Sequence, residues 1–388
     1  MLRLLHTADV HLGARHADLG DQAVAQRERQ FAAFRAAVDL ALEERVDLFL
    51  VAGDLFDSNT QPRRSVERAA SELKRLAAAM IRAVIIPGTH DVYDRTSIYR
   101  AYDLVALAGL PAETDLLTLL TPDRPEVVLP AVDALIFGRV FRTKRAPESP
   151  LAGFDASKDE RATWRIGMIH GSVSIKGRTD SDEVVFTGEE IAASGLDYLA
   201  LGHWHSPYEA KSGGVQYAYS GAPEPVALDQ DEAGSVLLVT LDRHEGSRSV
   251  SIEERQVGRT RFEVIDLDAA AIVSQPALIE ELITRADPDL VLDARLTGVR
   301  RDELDLDLDE IEGSLWPSFL KIRVRDRSLP ALSEGPLPPP DTIAGAFIRD
   351  LEGRVAELEA SDRFTEAGEL RDALRLGRLL LAGHEVSL

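Results

Sequence analysis

Five short polar clusters each follow an apolar, strand-like run, and this repetition constrains the fold more than any other feature of the chain. "LRLLHTA" leads into Asp9 and His11, "DLFLVAG" into Asp54 and Asp57, and "RAVIIPG" into Thr89, His90 and Asp91. "RIGMIHG" delivers His170, and "YLALGHWH" delivers His203 and His205. In open α/β sheets the ligand crevice lies at the carboxyl ends of the strands, so groups spread over two hundred residues can converge there. Helical patterns separate the runs. "QRERQFAAFRAAVDLALEERV" places Phe31, Phe34, Val38 and Leu42 at helical spacing, and "SVERAASELKRLAAAM" and "TGEEIAASGL" are also helical. The alternation predicts an α/β fold over the first ~240 residues.

The donor types narrow the chemistry. The chain has no cysteine, so a metal must be held by nitrogen and oxygen. Several imidazoles with two or more carboxylates suit Mn, Fe, Zn or Mg. An Asp able to bridge suits two ions ~3.5–4 Å apart, a pair that clamps the attacking and leaving oxygens of a phosphoryl displacement. A lone histidine is more often structural or superficial, which is the reading for His6, His16, His244 and His384. Five clusters in series at strand ends are a different matter.

No apolar run approaches the ~20 residues that span a bilayer, and His6, Asp9 and His11 interrupt any secretory segment at the N-terminus. A cytoplasmic protein with no membrane partner is expected. The net charge of −22 argues against a surface that grips nucleic acid everywhere. Local grip is still available: Arg142, Lys144 and Arg145 in "FRTKRAP" are the candidate DNA contacts, and "LKIRVRDRS" carries further cations. "RDELDLDLDEIEG" is strongly acidic and reads as a solvated face.

"GSVLLVTLDRHEGSRSVSIEERQV" predicts a β-hairpin turning at Glu245-Gly246. Beyond it, three strand-like runs around the helical "QPALIEELITRA" suggest a small α+β unit, and "SEGPLPPPD" is a Pro-rich linker. Ile343, Phe347, Leu351, Val355 and Leu358 then form an apolar stripe on a helical tail. The expected division is 1–258, 259–332, a linker at 333–341 and a tail at 342–388.

The series "DVH…GDLFD…GTHD…HG…GHWH" resembles the five-motif core of the calcineurin-like metallophosphoesterases. Within them it is similar to the DNA double-strand-break repair nucleases, the SbcD-type exonuclease subunits, through "HTADVHLG", "VAGDLFDS", "LDYLALGHWHSP" and "YSGAP". The resemblance covers residues 1 to about 240 and implies a two-sheet sandwich flanked by helices, followed by a capping domain. It further implies one divalent ion on Asp9, His11, Asp54 and His205, and a second on Asp54 as bridge, His170 and His203, with Mn²⁺ as the expected metal. His90 would be the catalytic histidine, its ring oriented by Asp91 or Asp57. The family pattern has Asn where this chain has Thr89, a departure that falls on the second metal. The resemblance also implies DNA as substrate, a homodimer, and an SMC-like coiled-coil ATPase that docks on the C-terminal helices.

Three functions compete: a metal-dependent DNA nuclease, a phosphodiesterase or phosphatase on small esters, and a scaffold whose site has decayed at Thr89. The cap, linker and tail weigh against the second, and the filled ligand positions against the third.

Overall fold

Along strand β1 (Leu2–Thr7), Leu2 and Leu4 enter one core and Leu5 another, so the run is apolar on both faces. The same split holds in β2 (Leu48–Ala52), where Leu48 and Leu50 face one way and Phe49 and Val51 the other. The computed structural model describes residues 1–381, except 17–18, 20–21, 178, 180–183, 228–229, 231, 245–246, 302–303, 331–336 and 362. The chain forms two compact units, Met1–Thr260 and Arg261–Leu388.

Between β1 and β2 runs helix α1 (Ala23–Glu43); helix α2 (Arg63–Ala78) leads on to β3 (Arg82–Ile86) and β4 (Leu117–Leu119). Then come β5 (Glu126–Leu129), β6 (Ala134–Arg139), β7 (Trp164–His170), α3 (Gly188–Ala193), β8 (Tyr198–Gly202), β9 (Tyr208–Ser212) and β10 (Val215–Tyr219). The hairpin β11 (Ser235–His244) and β12 (Ser247–Gln256) closes the unit, in register from Ser235↔Gln256 to His244↔Ser247. Its expected turn at 245–246 lies outside the described residues.

One sheet has the order β12-β11-β1-β2-β3-β4, with β1 to β4 parallel; the other has the order β9-β10-β8-β7-β6-β5, with β10, β8, β7 and β6 parallel. Their inner faces share a core that includes Leu4, Leu50, Val84, Ile166, Met168 and Ala200. Phe34 and Val38 of α1 and Leu73 of α2 cover the outer face of the first sheet, and Ile191 of α3 packs on the second. This is the expected two-sheet sandwich with flanking helices. Every residue of β2, β3 and β8 is buried. Each fully buried Leu, Ile or Phe contributes ~1.5–3 kcal/mol, which anchors the loops that leave these strands.

The second unit begins with β13 (Arg261–Asp268), followed by α4 (Gln275–Ile283), β14 (Asp287–Thr297), α5 (Leu308–Leu315) and β15 (Phe319–Asp326). The three strands are parallel in the order β13-β14-β15. Asp307, Asp309 and Glu310 of the acidic run are exposed, as a solvated face requires, and part of the run is helix α5. Asp307 caps that helix by accepting from the Glu310 amide, Asp309 and Glu310 lie in the first turn where the helix dipole favours anions, and Ile311 and Leu315 are buried. Helices α6 (Ile343–Ala360) and α7 (Phe364–Leu381) follow. The buried face of α6 is Ile348, Leu351 and Val355, whereas Ile343, expected in the stripe, is exposed.

Candidate metal centre

All five clusters leave the carboxyl ends of parallel strands: β1, β2 and β3 in one sheet, β7 and β8 in the other. The chain turns sharply where it leaves β1, β2 and β8. Asp9, His11, Asp54 and His203 adopt left-handed φ values of 52°, 48°, 50° and 102°. Non-glycine residues pay for that conformation, and such strain concentrates at functional sites. Braces hold it in place. The Asp9 amide donates to the Gly53 carbonyl at 3.1 Å and the His11 amide to the Asp54 carbonyl at 3.0 Å. The His203 amide donates to Asp9 Oδ2 at 2.9 Å, and the His90 amide to Asp54 Oδ1 at 2.7 Å.

Asp9 and Asp54, both buried, form the middle of the cluster. Asp54 Oδ2 lies 3.0 Å from Nε2 of His170 and 3.8 Å from Nε2 of His11. Asp9 Oδ1 lies 3.9 Å from Nε2 of His170 and of His205, and 4.0 Å from Nε2 of His11. In two of these rings the other nitrogen faces a fixed partner: His170 Nδ1 the Ala52 carbonyl at 3.0 Å, His11 Nδ1 the Asp57 Oδ1 atom at 3.3 Å. A partner at Nδ1 sets the tautomer that presents an Nε2 lone pair inward. His11 Nε2 is buried and makes no hydrogen bond.

The charges of the cluster are mutually dependent. Burial would raise the Asp54 carboxyl, but the charge and contact of His170, helped by His11 and His90, hold it far below the usual carboxylate range. Burial would lower His170, yet Asp54 and then Asp9 push it up to about 10. His11 is likewise raised against burial, by Asp57, Asp54 and Asp9. The buried Asp54 carboxylate is thus balanced by protons favoured on His170 and His11. A divalent cation answers the same demand, and its binding displaces such protons. With the inward, unpartnered His11 Nε2, this makes the donor set fit a metal.

Two ligand-competent groups emerge: Asp9 with His11 and His205, and Asp9 with Asp54 and His170. His203 joins neither by its ring nitrogens; its imidazole stands edge-on to His170 with centroids 5.3 Å apart. Thr89 is buried, and its hydroxyl lies 3.5 Å from Asp54 Oδ2.

A third group, His11 with Asp57 and His90, forms the rim. His90 is 48% exposed in its side chain, so a substrate can reach it. Its Nδ1 is 3.0 Å from the Asp57 carbonyl and 4.0 Å from the Asp57 carboxylate. Of the two acids expected to orient this ring, the adjacent one is Asp57. Asp91 is turned inward: it accepts from the amides of Gly88 at 2.7 Å and Phe56 at 3.1 Å and from the Tyr99 hydroxyl at 2.5 Å. Asp91 therefore staples the third cluster to the second. Tyr99 went unnoticed in the sequence, where no local signal links it to Asp91. His6 is buried between the sheets, with Nδ1 2.9 Å from the Tyr198 hydroxyl and Nε2 3.1 Å from the Leu201 carbonyl. Burial lowers its pKa to about 3, so it is a neutral structural bridge.

The cationic loop leaves β6, whose Arg139 pairs in register with Ile169 beside His170, so the loop starts at the same sheet edge as the cluster. Arg142, Lys144 and Arg145 are exposed, and Arg142 is ion-paired with Asp123.

The profile of the calcineurin-like phosphoesterase family matches residues 2–207. The chain belongs to that family. A DNA double-strand break repair protein Mre11 from Aeropyrum pernix is 30% identical to this phosphoesterase over 259 residues, 62% of this chain and 58% of that one. The uncharacterized metallophosphoesterase YhaO of Bacillus subtilis is 29% identical over 212 residues, 53% of this chain and 48% of its own length. The Mre11 protein of Methanopyrus kandleri is 25% identical over 349 residues, 81% of this phosphoesterase and 74% of the relative. The phosphoesterase thus spans about half the length of the first two relatives.

Proposed function

We propose that this phosphoesterase is a metal-dependent DNA nuclease, hydrolysing phosphodiesters with two divalent ions, Mn²⁺ by preference. The observation that carries the reading is the convergence of five strand-end loops on Asp9 and Asp54, with imidazole Nε2 atoms facing them from both sheets. Asp9, His11, Asp54 and His205 would hold one ion; Asp54, His170 and His203 would hold the other, with Thr89 alongside. Bound there, divalent ions supply Lewis acidity that neutralises charge on a phosphate under attack.

The chain's own residues do the rest. Asp54 faces imidazoles of both sheets, so its carboxylate would be the one shared by the two ions. Asp57 orients His11 through its carboxylate and His90 through its carbonyl. With Nδ1–H donating to that carbonyl, His90 presents Nε2 to hold a proton for the leaving oxygen. Asp91 positions this loop.

DNA as substrate is supported by the Mre11 relatives and by the cationic loop starting at the same sheet edge. An SMC-like coiled-coil ATPase docking on residues 342–388, a homodimer and a cytoplasmic location belong to the same proposal, as does the division into a nuclease domain, a cap and a docking tail. No helix among the described residues is long and apolar enough to cross a membrane. The test is cleavage of end-labelled duplex DNA with Mn²⁺ against EDTA, for the wild type and for Asp54→Asn. Cleavage that EDTA and Asp54→Asn leave unchanged would refute it.

A further inference from the structure

Beside the metal cluster lies an aromatic ledge that the hydrolytic chemistry does not use. Trp204 stands between His203 and His205 in sequence and stacks on Tyr219, with ring centroids 4.2 Å apart and planes 9° apart. Tyr219 is fixed in turn: its hydroxyl donates to the Gly171 carbonyl at 2.9 Å and accepts from the Val173 amide at 2.8 Å, directly after His170. The Trp204 indole N–H donates to Ser172 Oγ at 2.9 Å. Tyr208 completes the ledge, edge-on to Trp204 at 5.5 Å and tilted over Tyr217 and Tyr219 at 6.5 and 6.4 Å. One of the chain's three tryptophans and three of its seven tyrosines are thus gathered within 16 residues. Unlike its buried neighbours Tyr217 and Tyr219, Tyr208 is 40% exposed.

We propose that Tyr208, backed by Trp204, is a stacking platform for an unpaired nucleobase of the strand being cut; this rests on the nuclease reading above. The ledge grows out of the loop that carries His203 and His205, and it is tethered to the backbone that follows His170. Tyr208 follows His205 by only three residues, so the chain itself keeps the ledge near the cluster. Stacking also answers a problem of charge. At a net charge of −22 the chain repels polyanions, and Arg142 already spends its charge on Asp123. Base–aromatic contact is independent of charge and tolerates any base, because every base offers a π-face.

The experiment uses the full chain with Mn²⁺ and a set of single-stranded oligonucleotides, each abasic at a different position. Cleavage and equilibrium binding are both measured. In the wild type, an abasic residue next to the cleaved phosphate is expected to raise KM and Kd by on the order of tenfold. Tyr208→Ala should raise both by a similar factor on the intact oligonucleotide and lose the sensitivity to the abasic position. Tyr208→Phe should behave as the wild type. The slope of log Kd against log salt should be the same for Tyr208→Ala, since no phosphate contact is lost, and its Mn²⁺ affinity should be unchanged. Cleavage indifferent to every abasic position, or Tyr208→Ala retaining the wild-type sensitivity, overturns the ledge and leaves the nuclease reading standing. Base-dependent binding with no cleavage does the reverse.

Discussion

The backbone amide of His90 donates to Oδ1 of Asp54 at 2.7 Å, so the carboxylate at the centre of the cluster also fixes the loop that carries the rim histidine. One oxygen of Asp54 is spent on that loop, and the other faces His170 and His11. The position of His90 therefore depends on Asp54, while the Asp9 and Asp54 groups do not need the His90 side chain.

Replacing His90 by Ala should follow this asymmetry. The backbone amide, and with it the brace to Asp54, survives the substitution. We expect kcat to fall by ~10²–10⁴-fold, the usual cost of losing a positioned acid–base group, with Mn²⁺ affinity within a factor of about three of wild type. Calorimetric titration with Mn²⁺ beside steady-state kinetics checks both halves. Loss of the metal along with activity would make His90 a ligand, through its group with His11 and Asp57.

Gly53 tests the strand-end geometry. Its φ is 97°, and a Cβ there would lie 2.3 Å from Nδ1 of His170. Gly53→Ala must strain the backbone and displace the ring from the Ala52 carbonyl. We expect a loss of about 2–4 kcal/mol of stability, read by urea unfolding, together with weakened metal binding. An alanine variant as stable as the wild type would mean that the loop relaxes without cost.

How much of this was legible in the sequence depended on the range of the signal. The apolar runs revealed the strands because each is buried on both faces, and a run such as "LFLVA" has few other uses. The Thr187–Glu190 capping box is equally local, and it starts α3 where the pattern "TGEE" suggests. Which clusters touch was accessible only through the strand-end rule and the family resemblance. The inward turn of Asp91 was not accessible at all, since it depends on Phe56 and Tyr99 arriving from elsewhere. Helix α5 was hidden by its charge: an acidic run reads as solvated until Ile311 and Leu315 are seen to share a buried face.

The histidine charges give a pH dependence. In the metal-free protein His170 is raised from 6.5 to about 10. The native state then holds a proton that the unfolded chain releases, so this contribution is fully present below about pH 6.5 and is lost as pH rises through about 10. We expect the melting temperature in EDTA to fall between pH 7 and 10. Added Mn²⁺ should displace the proton, release it to the solvent and bind more tightly as pH rises. Melting curves with EDTA and with Mn²⁺ across this range test the idea; a metal-free melting temperature that climbs with pH would contradict it.

Thr89 stands where the sequence resemblance implies Asn, and its geometry bears on what that difference costs. Its hydroxyl lies 3.5 Å from Asp54 Oδ2, at the outer limit of a hydrogen bond, while the rest of the residue is buried. An Asn amide oxygen would sit one bond further from the backbone and reach further into the space beside Asp54 and His170. With its shorter reach, the Thr hydroxyl is proposed to be a poorer ligand for the second ion than an Asn oxygen would be. Under the proposed assignment Asp54, His170 and His203 would remain, and three protein ligands would still make a workable site. We therefore expect two Mn²⁺ ions in the wild type, the second bound more weakly. Thr89→Asn should tighten that second ion by about 1–3 kcal/mol, roughly 5- to 150-fold, the worth of one charge-assisted contact, and leave the first unchanged. Calorimetric titration of both proteins with Mn²⁺ decides the matter. Equal affinities for the second ion would show that Thr89 serves as well as Asn, and a second ion absent from both proteins would favour a decayed site.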